Sequence, residues 1–210
     1  MEPHGSQPLM RAGAPLGHAP VAIMIHGRGA GPKNILDLVP RLARADVTYL
    51  APAAANNTWY PYSFLSEIEQ NEPGLTSALT VLSALVDDVI EKGVPSERIV
   101  LLGFSQGACL TSEFAARHAR RYGGIIAFTG GLIGPDATPR DYSGSFDGTP
   151  VFLGCSDVDH HVPKTRVDET AAVFRRMGAQ VDERIYPGMG HIVNDDEIAA
   201  AQQIFDQVAR

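Results

Sequence analysis

A serine flanked by glycines, Gly103-Phe104-Ser105-Gln106-Gly107, ends one apolar run and is followed at once by helix-forming residues. Gly, Ser and Gly in this order suit neither a strand nor a helix, so a sharp turn is expected there. A serine hydroxyl is a weak nucleophile. It attacks a carbonyl only when an adjacent base takes its proton and a third group orients that base. The chain carries candidates for both roles further on. Asp157 and Asp159 lie in GCSDVDHHVP, 154–163, and His191 lies in YPGMGHIVNDDE, 186–197. Serine, acid and histidine in that order suit acyl transfer through a covalent intermediate.

That chemistry also needs donors for the negative charge developing on the carbonyl oxygen. HGRGAG, 26–31, follows the first apolar run, and Gly27 and Gly29 allow its backbone N–H groups to point inward. The N–H of Arg28 and that of Gln106, free at a helix start, are the expected pair; one such donor is worth about 3 to 4 kcal/mol in the transition state. Read instead as a phosphate loop, the segment lacks the Lys-Ser/Thr of a P-loop and the G-x-G-x-x-G spacing, so no nucleotide site is expected.

The elements that must position these residues alternate along the chain. Apolar runs at 21–25, 47–50, 99–102, 125–128, 151–153 and 181–185 read as strands. Helices are expected at 36–44, 74–92, 106–120, 164–177 and 195–208. In the second of these, Leu75, Leu79, Leu82, Leu85, Val86, Val89 and Ile90 share one face. Asn194 with Glu197 three residues on resembles a capping box for the last. Strands this apolar, separated by helices, belong in a mostly parallel sheet covered on both faces, an α/β fold. Gly-x-Ser-x-Gly between strand and helix is then the nucleophile elbow of the α/β-hydrolase fold, with acid and histidine at later strand ends. A single domain over 1–210 is expected, with 1–19 as an N-terminal segment in which 8–12 could add an antiparallel edge strand.

Composition limits the partners. The chain is 44% hydrophobic and 20% charged with net charge −7, which argues against nucleic acid or an anionic membrane surface as partner. No apolar run approaches the roughly 18 residues of a membrane span, and the first residues lack the pattern of a secretory signal. A cytoplasmic protein without stable membrane association is expected. Cys109 and Cys155 read as buried reduced thiols. His4, His18 and His118 are read as surface residues, and His26 as a brace for the oxyanion loop. Asp157, Asp159, His160 and His161 are adjacent on one tight turn, where side chains rarely converge on one ion, so no metal is expected. Asn and Pro punctuate NNTWYPYSF, 56–64, which makes it a poor place for core. Trp59, Tyr60, Phe64 and Leu65 are therefore expected to form a substrate-facing wall.

HGRGA, GFSQGA, DHHVP and PGMGH, in this order, resemble the phospholipase/carboxylesterase family of small α/β-hydrolases, which includes acyl-protein thioesterase-like enzymes and bacterial carboxylesterases. The resemblance runs over about 22–208. It implies hydrolysis of a small-molecule ester or thioester by Ser105, Asp159 and His191, with Arg28 and Gln106 as oxyanion donors and no cofactor. The family pattern Asp-x-x-Val-Pro selects Asp159 over Asp157. Pro163 would hold the turn after Asp159 rigid, and Asp157 is expected to stabilise that turn by accepting backbone N–H bonds. The aromatic loop departs from the thioesterase branch. The stretch 129–150 has room for a turn-rich loop but not a multi-helix cap, so a shallow cleft preferring short acyl chains is expected. A non-catalytic protein of this fold would have no need of elbow, base and acid together. A homodimer is compatible with the sequence.

Overall fold

The short apolar runs become the inner strands of one seven-stranded sheet. The computed structural model describes residues 3–17 and 19–208. Its strands are β1 (Leu9–Gly13), β2 (Val21–Ile25), β3 (Thr48–Pro52), β4 (Ile99–Phe104), β5 (Gly124–Phe128), β6 (Pro150–Ser156) and β7 (Gln180–Tyr186). They lie in the order β1-β3-β2-β4-β5-β6-β7. All neighbours are parallel except β1, which runs antiparallel to β3 with Leu9 opposite Pro52. The edge strand expected near residues 8–12 is thus present, displaced by one residue.

Side chains alternate across the sheet, as the pleat requires. Val21, Ile23 and Ile25 face one buried cluster, while Ala22 and Met24 face another. The first cluster lies under α3 (Gly74–Glu91), α4 (Gln106–Arg117) and α5 (Lys164–Arg176). The second lies under α1 (Pro32–Leu36), α2 (Val39–Leu42) and α6 (Asp195–Val208). This is the α/β fold that the alternation implied.

Two helices differ from expectation. Of the expected helix 36–44 only α2, Val39–Leu42, forms beyond Leu36, where α1 already ends. Pro40 has no N–H to offer the carbonyl of Leu36, and its ring crowds that carbonyl. The helix expected to reach residue 120 ends at Arg117. Continuing it would bring Arg120 and Arg121 beside Arg117 at i+3 and i+4, a like-charge arrangement that destabilises helices.

The strand order reverses its direction of growth between β2 and β4. In open α/β sheets such a switch point leaves a crevice beyond the carboxyl ends of the strands. The HGRGAG loop leaves β2 there and the serine turn leaves β4. Among the described residues, 129–149 holds no helix or strand, so no cap stands over the crevice from that side. No helix of the described residues is long and apolar enough to cross a membrane.

Candidate active site

Ser105 joins β4 to α4 with φ 56° and ψ −122°, a backbone conformation that costs a non-glycine residue energy. The flanking glycines make this turn feasible. A Cβ on Gly103 would lie 2.3 Å from the carbonyl oxygen of Gly107, and a Cβ on Gly107 would lie 2.1 Å from that of Ile25. Neither backbone oxygen can move aside. The turn is pinned to the sheet by the Ser105 N–H, which donates to Phe128 O at 3.0 Å.

Three strand ends bring the chemistry together. Ser105 Oγ lies 2.8 Å from His191 Nε2, and His191 Nδ1 lies 2.7 Å from Asp159 Oδ2. With its proton on Nδ1, the imidazole donates to the carboxylate and accepts from the serine. The Asp159 carboxylate is fully buried, while His191 is 26% exposed. Burial pushes the Asp159 pKa up, but bonds from His191 and from the N–H groups of Val162 and His161 outweigh it and hold the carboxyl below its usual value. Oδ1 of Asp159 takes both of those N–H groups at 2.8 Å. The turn-stabilising role expected of Asp157 therefore falls to Asp159 itself. Asp157 instead accepts the Gly188 N–H at 2.8 Å, tying β6 to the loop that carries His191.

Beside the serine, no hydrogen bond among the described residues takes the backbone N–H of Arg28 or of Gln106. Their side chains are occupied elsewhere, a use the sequence did not signal. Gln106 Oε1 accepts the Trp59 N–H at 2.9 Å, and Nε2 donates to Tyr60 O at 2.8 Å. The Arg28 guanidinium donates to Thr58 Oγ1, Pro61 O and Tyr62 O at 3.1, 2.7 and 2.5 Å. Both residues clamp the aromatic loop against the turn that carries Ser105.

That loop is part wall and part core. Tyr60 and Phe64 line a cleft of about 440 Å³ together with Ser105, Gln106, Cys109 and His191. Pro61, Tyr62, Ser63, His161 and Val162 also line it; for the last two, their place between Asp159 and Pro163 was an available signal. Trp59 does not line it, which corrects the expectation. Its side chain is fully buried, its indole N–H donates to His26 O at 2.9 Å, and its ring packs between those of His4 and His26. Leu65 likewise packs against the core away from the cleft.

The histidines divide similarly. His26 braces as expected, its Nδ1–H donating to Gly27 O at 2.8 Å while Nε2 accepts the Ala54 N–H at 3.1 Å. His4 is a correction, since it is buried. Its Nε2–H donates to Trp59 O at 2.9 Å and its Nδ1 accepts the Ala55 N–H at 3.0 Å. His118 is half-buried against Phe114, and His18 lies outside the described residues. Burial lowers the pKa of His4, His26 and His118. Cys109 and Cys155 are free and buried, and burial pushes each thiol up to about 12. At the start of α6, Asn194 and Glu197 exchange the two bonds of a capping box at 2.8 and 2.9 Å. Burial raises the Glu197 carboxyl to about 7.

A serine on a strained strand-to-helix turn, at the switch point of a mostly parallel sheet and within reach of a histidine and a buried carboxylate, defines an α/β-hydrolase. The chain belongs to the phospholipase/carboxylesterase family, whose model matches residues 15–208, and so to hydrolases acting on esters or thioesters. An acyl-protein thioesterase 1 of Eremothecium gossypii is 28% identical over 206 residues, with 84% of each chain covered. One of Debaryomyces hansenii is 26% identical over 146 residues, covering 69% of this chain and 63% of that protein. The crystal structure of a phospholipase/carboxylesterase from Dyadobacter fermentans superposes with a TM-score of 0.92. It is 42% identical, with 95% of this chain and 96% of that one covered.

Proposed function

We propose that this protein is a serine carboxylesterase that cleaves short-acyl esters through an acyl-enzyme. The observation that carries the reading is the continuous hydrogen-bonded line Ser105–His191–Asp159, with links of 2.8 and 2.7 Å. Ser105 Oγ adds to the carbonyl carbon as its proton passes to His191 Nε2, and Asp159 holds the ring and balances the imidazolium. The N–H groups of Arg28 and Gln106 receive the oxyanion. His191 then gives its proton to the departing alcohol oxygen as the C–O bond breaks. Water, deprotonated by the same nitrogen, cleaves the Ser105 ester and releases the acid. The scheme uses no cofactor. A thioester would follow the same path, and the names of the fungal relatives favour that second reading.

Ser105→Ala is expected to lower ester turnover by several orders of magnitude, and to abolish labelling by a serine-directed fluorophosphonate. Alanine keeps the Cβ and therefore the same backbone strain, so the fold should be unaffected. Turnover surviving in a folded Ser105→Ala protein would overturn the mechanism. The preference for short chains rests on the absence of a cap over 129–149. In a series of p-nitrophenyl esters, butyryl should be cleaved faster than palmitoyl, and the reverse order would refute it.

A further inference from the structure

The crevice does not end at the cleft that holds Ser105. A second cavity, of about 530 Å³, shares His191 with it and is lined by the HGRGAG loop. Its apolar lining comes from Ile35, Leu38, Phe104, Ile192 and Val193. Arg28 and His191 line both cavities, whereas Ser105, Tyr60 and Phe64 line only the first. The Phe104 ring lies 5.1 Å from that of His191, so the floor of the second cavity begins beside the imidazole.

From this division we infer that the second cavity holds the alcohol half of the ester, and that this alcohol is apolar and bulky, an aryl or branched alkyl group. The inference rests on the roles of Ser105 and His191 given above. The acyl group stays bonded to Ser105 Oγ after the first step, so it must occupy the cavity that Ser105 lines. The leaving oxygen must come within hydrogen-bond reach of His191, which protonates it. Its substituent then extends past the imidazole, where the second cavity lies. An anionic alcohol is disfavoured because the cations at this rim are already engaged. Arg41 pairs with Asp195 at 2.8 Å and donates to Val193 O at 3.3 Å, and Arg28 holds the aromatic loop. Besides Asn34 and the backbone of the HGRGAG loop, the remaining lining is apolar, and it includes Ile192, 56% exposed.

The test compares two ester series in enzymes with Ser105 intact. One varies the alcohol on a fixed acetyl group, from methyl to phenyl to 2-naphthyl. The other varies the acyl group on fixed p-nitrophenol, from acetyl to hexanoyl. In Ile192→Ala and in Leu38→Ala, on separate walls, the ratio of kcat/KM for 2-naphthyl over methyl acetate should fall about tenfold, the size of effect expected for lost apolar pocket contacts. The hexanoyl-to-acetyl ratio should stay as in the unaltered protein. Ratios are insensitive to the fraction of protein that folds. An unchanged alcohol ratio overturns the inference, and so does a shift in the acyl ratio, which would place the acid half there. Either result leaves the triad reading standing, whereas turnover surviving Ser105→Ala would sink that reading by itself.

Discussion

At the scale of single residues, the two aspartates of one strand end have separable duties. Asp159 gives one oxygen to His191 and the other to the N–H groups of His161 and Val162, so the same turn that it stabilises fixes its own orientation. Asparagine at 159 would present an amide N–H to His191 or force the wrong tautomer. On the proposed mechanism it should cost about 10⁴ in turnover. Asparagine at 157 keeps an oxygen for the Gly188 N–H and should lose less than tenfold. Steady-state rates of the two variants check this, and an inactive Asp157→Asn beside an active Asp159→Asn would reverse the assignment. The site's candidates were legible because each sits in a short motif at a strand end, where spacing and chain order carry information. Which of the two acids braces the turn after β6 was not. It depends on which N–H groups the turn after β6 presents, and no spacing encodes that.

At the scale of elements, the aromatic loop shows where local reading fails. Asn and Pro around Trp59 mark a loop, and of the side chains expected on a substrate-facing wall, Tyr60 and Phe64 lie at the cleft. The sequence reading misplaces Trp59, because that indole packs between His4 and His26, 55 and 33 residues away in the chain. Local pattern carries no trace of a cover supplied from so far off. The split between α1 and α2 is the opposite case, since Pro40 was present to be read. The loop makes a clear prediction. Trp59→Ala removes a fully buried side chain and its bond to His26 O. It should cost about 3 to 5 kcal/mol of stability, measured by denaturant unfolding, because the cavity cannot refill. The hexanoyl-to-acetyl ratio should hold, since the indole does not reach the cleft. An altered ratio with unchanged stability would return Trp59 to the substrate wall.

At the scale of the whole molecule, the buried titratable groups pull stability in opposite directions with pH. His4 and His26 each accept a backbone N–H through one ring nitrogen, and burial lowers both pKa values below 6.5. As pH falls through 6.5 the unfolded chain binds those protons first, so the stability these residues contribute is present above 6.5 and lost below it. Glu197 runs the other way. Its carboxyl is fully buried, Oε2 accepts the Asn194 N–H, and Oε1 has no partner among the described residues. Burial raises its pKa from 4.5 to about 7, so its contribution is full below 4.5 and lost as pH rises to about 7. Over the range where both act, each conceals the other's slope. Glu197→Gln removes the descending contribution while keeping an oxygen for the cap of α6, and so should expose the rising one. Thermal melts from pH 5 to 8 should therefore show Tm climbing more steeply in the variant than in the unaltered protein, by roughly 5 °C over that range. Parallel curves would mean that Glu197 titrates alike in the folded and unfolded chain, and that its unpartnered oxygen costs the fold nothing as pH rises.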